Sequence, residues 1–224
     1  LLSQKFTIDT LLTDKISIRA IQLWDGKVWY AGTDSKFGYV DLENVNNKKQ
    51  IRLSQKSLQF RTLAQNNKYF YAINIENPAY FFQVDKKTLD SKVVFNDNDP
   101  TAFYDALKFT DYNFGLAFSD PSANQRLNIS QTRNGGANWI NCKNCKDFPY
   151  LEKGEAAFAA SNTNIASFRN VIWIATGGAK SRIYRMKNKD CYWQVFETPF
   201  IQGTSSQGIY SIDFYDKNFG IAVG

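Results

Sequence analysis

One pattern recurs five times along the chain and restricts its fold more than any other feature: an apolar run, a polar turn, and a second apolar run ending at alanine. The copies are Ile18–Ala31, Phe60–Ala72, Ala106–Ala117, Ile165–Ala175 and Ile209–Ala222. Two apolar runs joined by turn residues read as an antiparallel hairpin. The terminal alanines, Ala31, Ala72, Ala117, Ala175 and Ala222, are spaced by 41, 45, 58 and 47 residues. Weaker strands follow the hairpins at Phe37–Leu42, Tyr80–Val84, Leu127–Thr132 and Arg182–Met186, and then outer strands such as Trp139–Ile140 and Tyr192–Phe196.

Four strands per period is the blade of a β-propeller, so the chain is expected to be an all-β propeller of four-stranded antiparallel blades. A β-sandwich, the competing architecture, has no reason to repeat an alanine-ended hairpin at this interval. Alanine fits where blades converge on the axis and leave little room. Aromatic residues make up 16% of the chain against a single Met, a bias toward side chains that suit a pleated surface. The reading is one domain over 1–224, with blades near 17–57, 58–102, 103–155 and 156–207 and a partial blade at 208–224. Within 4–12, Phe6–Leu12 reads as an outer strand that closes the ring on the last blade. The fifth hairpin reaches Gly224 with two of its four strands, so about four and a half blades of a seven-bladed ring are expected.

Composition removes whole classes of chemistry. Histidine is absent, which excludes Ser-His-Asp and Cys-His nucleophiles and His-ligated zinc. Catalysis would have to run on carboxylates, Tyr or Lys. The net charge of +6 is scattered in short groups such as Lys48-Lys49 and Lys86-Lys87, without a basic helix, so no nucleic-acid partner is expected. No run approaches the roughly 18 apolar residues of a transmembrane helix. Cys142 and Cys145 form a single Cys-x-x-Cys with only Cys191 left over, too few ligands for a zinc site; a loop pinned by a local disulfide is the simpler reading. No Gly-x-Gly-x-x-Gly segment opens a helix, so no cofactor is expected. The Asn128-Ile129-Ser130 sequon falls on a strand and carries no weight.

Thr132-Arg-Asn-Gly-Gly-Ala-Asn-Trp139 matches Ser/Thr-x-Asp/Asn-x-Gly-x-x-Trp, the Asp-box. Its chemistry is local: Thr132 and Asn134 bond their own turn, Gly136 supplies positive φ, and Trp139 packs beneath. These four are read as structural. Asp-boxes occur in sialidases and related propellers. With Phe109–Phe118, Ala157–Asn162, Trp173–Ala179 and Gly208–Gly224, the box most resembles the photosystem II assembly- and stability-factor-like propellers of bacteria, often labelled oxidoreductases. The stretch before Trp193, Arg185–Tyr192, lacks the glycine of a second box. The resemblance implies a non-catalytic scaffold that binds protein partners in the periplasm, at the outer membrane or in another extracytoplasmic space; a processed leader before Leu1 would fit export.

The alternative is a glycan-binding or sialidase-like hydrolytic propeller, for which Asp34, Asp120 and Glu155 are the loop carboxylates to consider. Loops joining second to third strands, and blade to blade, share one rim, and binding concentrates on such loops. Asp34, Lys36, Asp120, Arg126, Lys180 and Arg182 are the rim residues expected to meet a partner.

Overall fold

A computed structural model describes residues 6–121, 125–142, 150–187, 189–190 and 192–224. Blade 1 is formed by β1 (Ile18–Trp24), β2 (Lys27–Gly32), β3 (Lys36–Asp41) and β4 (Lys48–Arg52). Blade 2 contains β5 (Ala64–Gln65), β6 (Tyr69–Ile73), β7 (Ala79–Asp85) and β8 (Ser91–Asp97). Blade 3 contains β9 (Tyr104–Phe109), β10 (Gly115–Pro121), β11 (Leu127–Thr132) and β12 (Ile140–Asn141). After β13 (Glu155–Ala156), blade 4 comprises β14 (Ile165–Phe168), β15 (Val171–Ala175), β17 (Arg182–Lys187) and β18 (Trp193–Glu197); β16 (Gly177–Gly178) pairs with β13. β19 (Ser211–Phe214) and β20 (Gly220–Val223) form the fifth, two-stranded sheet. All pairings between these strands are antiparallel, and no helix occurs among the described residues.

Consecutive inner strands touch: β5 meets β9, β9 meets β14, and β14 meets β19. The blades are therefore arranged around a common axis, and the fold is a β-propeller. The core is divided into layers between blades. Trp29, Phe37, Phe60, Phe70 and Phe82 fill the space between blades 1 and 2. Tyr71, Phe81, Tyr104 and Trp139 fill it between blades 2 and 3, and Phe118, Ile129, Ile174 and Tyr184 between blades 3 and 4. Trp173 and Phe214 stack between blade 4 and the fifth sheet, their ring centroids 3.8 Å apart. Flat rings suit this architecture because each layer lies between two pleated surfaces rather than around one centre.

The hairpin alanines behave as their spacing requires. Ala31, Ala72, Ala117 and Ala175 are all fully buried on the second strands of their blades, and Ala222 is half-buried in the fifth sheet.

In the segment expected to supply a ring-closing strand, residues 6–12 pair with no strand among the described residues, and Phe6 and Ile8 are almost fully exposed. At one end of the arc Ile21 and Leu23 of β1 are exposed; at the other, Ile221 and Val223 of β20.

Candidate interaction rim

Alternating strand directions place the β2–β3, β6–β7, β10–β11 and β15–β17 connections and the blade-to-blade segments on one rim. The six polar residues expected to face a partner there are engaged within the protein. Asp34, at φ 60°, accepts from Ser57 Oγ at 3.0 Å and lies 3.0 Å from an Arg52 guanidinium nitrogen. Lys36 Nζ donates to Asp14 Oδ2 at 2.7 Å and to the Lys15 carbonyl. That lysine and Gln50 hold the Asp14 carboxyl down at about 2. Arg126 donates to Tyr150 Oη at 2.7 Å and lies over its ring. Lys180 pairs with Glu197 at 2.8 Å.

Two of the six lie beneath the rim rather than on it. Arg182 is 8% exposed and sits in a closed network around Glu155, itself 1% exposed. Glu155 Oε1 accepts from Arg182 Nε at 3.1 Å, from Tyr184 Oη at 2.8 Å and from Thr176 Oγ1 at 2.6 Å, while the Glu152 N–H donates to Oε2. A second Arg182 nitrogen bonds both Glu155 Oε2 and the Tyr150 carbonyl. A buried carboxylate needs this number of donors, and the result pins the segment around residues 150–156 onto β17. Along β17, Arg182 and Tyr184 share the inward face and Ile183 lies on the other.

Asp120 is likewise turned inward, against Asp105 of the inner strand β9. Asp120 Oδ1 accepts from the Ala157 N–H at 3.3 Å. Asp105 is wholly buried, and neither of its carboxyl oxygens has a hydrogen-bond partner among the described residues. Neighbouring carboxyls away from water disfavour each other's ionised forms. Burial pushes Asp120 up to about 6 and Asp105 well above the usual carboxylate range; the Arg61 guanidinium opposes the shift of Asp105 without cancelling it.

The rim also exposes apolar side chains. Ile201, in the segment joining blade 4 to the fifth sheet, is 76% exposed. It borders a cavity of about 510 Å³ shared with Pro199, Phe200, Gln207 and Gly208. The segment is held in place: Ser181 N–H donates to Gln202 Oε1, Thr198 Oγ1 to the Ser181 carbonyl, and Gly203 N–H to the Gly178 carbonyl. Tyr150, 58% exposed over Arg126, puts an aromatic ring on the same rim.

The turn 132–139 lies on the opposite rim, between β11 and β12. Gly136 N–H donates to Thr132 Oγ1 at 2.9 Å and Asn138 N–H to Asn134 Oδ1 at 2.9 Å. Gly136 takes φ +82°, and a Cβ there would collide with the Tyr71 ring. Tyr71 Oη and Asn66 Nδ2 both donate to the Gly135 carbonyl, so the turn also fastens blade 3 to blade 2. Trp139 is buried against Phe81 and Phe109.

Cys142 is half-buried; Cys145 and Cys191 lie outside the described residues, as does the pairing expected of them. No group of three or more candidate metal ligands occurs among the described residues. No helix there is long and apolar enough to cross a membrane. Sequence reasoning missed Asp105 and Ile201. Asp105 carried a signal, an acid inside the apolar run Tyr104–Phe109, whereas nothing local marks Ile201.

No protein-family model matches the chain, and no curated protein matches it. Solved structures match in shape. U3-55K, a WD40 propeller, superposes with a TM-score of 0.64 at 12% identity, over 95% of this chain and 59% of that one. A puromycin-hydrolyzing peptidase of Mycobacterium tuberculosis gives 0.61 at 11% identity, over 93% and 33%. A chain of the Mitotic Checkpoint Complex gives 0.57 at 12% identity, over 90% and 56%. The chain thus spans between a third and three-fifths of the length of the structures it resembles, and the likeness establishes the propeller fold.

Proposed function

We propose that this chain is a non-catalytic propeller scaffold that binds a protein partner through the rim carrying Ile201. One observation carries the reading: the six rim residues expected to meet a partner are engaged within the protein, while Ile201 stands exposed on a segment fixed by hydrogen bonds. A rigid apolar anchor beside a shallow cavity is the geometry of an interface hot spot. The similarity to a chain of the Mitotic Checkpoint Complex, a multiprotein assembly, supports it at the level of fold. The bonding of the 132–139 turn supports the Asp-box reading, and with it the likeness to bacterial photosystem II assembly-factor-like propellers. On that likeness the reading assigns the chain to the periplasm, the outer membrane or another extracytoplasmic space.

The alternative, a glycan-binding or sialidase-like propeller, draws on exposed Tyr150 over Arg126, a flat ring on which a sugar could stack. Hydrolysis would need two carboxylates facing a cleft. Glu155 is enclosed by its donors, Asp120 is turned onto Asp105, and Asp34 is paired with Arg52.

Affinity capture from a native envelope fraction, run with wild-type protein and with Ile201→Asp beside a glycan array, tests both readings. A partner enriched by wild type and depleted at least tenfold by the variant is expected. Identical capture by both proteins would overturn the role of Ile201, and glycan binding without protein capture would favour the alternative.

A further inference from the structure

The opposite rim carries a lysine in unusual surroundings. Lys86 follows β7, and its side chain folds back over the interface between blades 1 and 2. Its Nζ lies 4.8 Å from the Trp24 ring centroid and 4.9 Å from that of Phe70. It donates to Gln65 Oε1 at 2.6 Å, a neutral acceptor, and the residue is 6% exposed. The Gln65 amide cannot flip, because its Nε2 is held by Gln22 Oε1 and the Leu23 carbonyl.

Carboxylates on the neighbouring turns are occupied elsewhere. Asp25 pairs with Lys27, Asp111 with Lys189, and Asp85 caps the N–H groups of Lys87 and Thr88. The other titratable groups on these turns are Lys68, Lys87, Asp90 and Tyr112. Burial without a counter-ion pulls the Lys86 amine down to about 8.

Lys86 also lines a cavity of about 540 Å³, with Trp24, Gln65, Asn67, Thr110 and Asp111 on its walls. In that lining the Thr110 hydroxyl oxygen is buried and has no hydrogen-bond partner. The cavity thus offers a weakly solvated amine and an unused hydroxyl.

We propose that Lys86 is a covalent capture site for a small polar aldehyde, which enters this cavity and forms an imine with Nζ. The nitrogen lone pair attacks the carbonyl carbon, the C=O π pair moves to oxygen, and a proton passes from nitrogen to that oxygen to give a carbinolamine. Loss of the hydroxyl with a second nitrogen proton, as water, leaves the C=N bond. Gln65 Oε1 orients the amine, Thr110 hydrogen-bonds oxygens of the ligand, and Trp24 and Phe70 limit hydration of the nitrogen.

Glyceraldehyde at limiting concentration with cyanoborohydride trapping, followed by peptide mass spectrometry, tests this. An amine with a pKa of about 8 is about one-tenth deprotonated at pH 7, against less than about one-thousandth for an ordinary lysine. Lys86 is expected to label at least tenfold faster than Lys92 or Lys36, with saturation in aldehyde and a rate that levels off above pH 8. Gln65→Glu places a carboxylate against the amine and is expected to slow Lys86 at least tenfold while leaving Lys92 unchanged. Should that variant fail to fold, the wild-type pH profile decides. Labelling of Lys86 no faster than Lys92, or a wild-type rate still climbing through pH 10 without saturation, would overturn the proposal.

Discussion

The Asn162 side chain pairs with the backbone of Leu107 as a neighbouring strand would. Its Oδ1 accepts from the Leu107 N–H at 2.8 Å, and its Nδ2 donates to the Leu107 carbonyl at 3.1 Å and to the Leu63 carbonyl at 3.1 Å. One amide from the blade 3–blade 4 connection thus ties the inner strand of blade 3 to the residue preceding β5. Asn also tolerates the φ of 59° found there.

Asn162→Ala strands a buried N–H and weakens two carbonyls, so a loss of about 2–4 kcal/mol is expected in urea unfolding. Asn162→Asp keeps the acceptor but forfeits both donors, and should be at least as unstable above pH 5. A loss below about 0.5 kcal/mol in the alanine variant would contradict this account.

Tyr71 and the 132–139 turn make a second prediction. Tyr71 Oη donates to the Gly135 carbonyl and accepts from Gln83 Nε2 at 2.7 Å, and burial pushes its pKa up to about 12. Tyr71→Phe should cost about 1–2 kcal/mol. Gly136→Ala should cost more, because the new methyl meets the Tyr71 ring at a positive φ. Chemical unfolding followed by tryptophan fluorescence, Trp139 being packed against that ring, measures both.

The Glu155–Arg182 pair is expected to be strongly non-additive. Removing one partner leaves a charge uncompensated under the rim, so Arg182→Met and Glu155→Gln should each cost about 3–5 kcal/mol. The double variant should cost clearly less than the sum. Additive losses in a double-mutant cycle would mean that the two side chains act separately.

The Asp105–Asp120 pair sets a pH dependence opposite to that of an ordinary salt-bridged carboxylate. Both groups have raised values in the folded protein, so folding binds protons. Their stabilising contribution is fully present below about pH 4, the range of an unfolded Asp, and is lost as pH rises through about 6 toward the higher value of Asp105. Arg61 is the cation facing the pair. Asp105→Asn removes the second acid while keeping the size of the side chain. Its melting temperature should fall less than that of wild type between pH 5 and 8; parallel curves would refute the raised Asp105 carboxyl.

The five hairpins and their alanines are legible in the chain because a two-residue alternation broken by turn chemistry is a local signal, repeated often enough to stand out. The Asp-box turn is legible for the same reason: Thr132, Asn134 and Gly136 bond or bend within eight residues. The strand expected near Phe6 has a strand-like composition, but pairing needs an edge that local sequence does not specify. The rim charges are visible in the sequence, yet their partners lie far along the chain: Asp14 for Lys36, Tyr150 for Arg126, Glu155 for Arg182.

Local periodicity therefore determined the all-β class, the four-stranded unit and its repeat, because each depends on residues within one hairpin. Tertiary structure decided which polar groups are available. Whether Arg182 meets solvent or Glu155, whether Asp105 carries a proton, and whether Lys86 has a counter-ion all depend on desolvation and on donors brought together from different blades. Those are properties of the assembled layers between sheets, and no window of sequence contains both sides of such a layer.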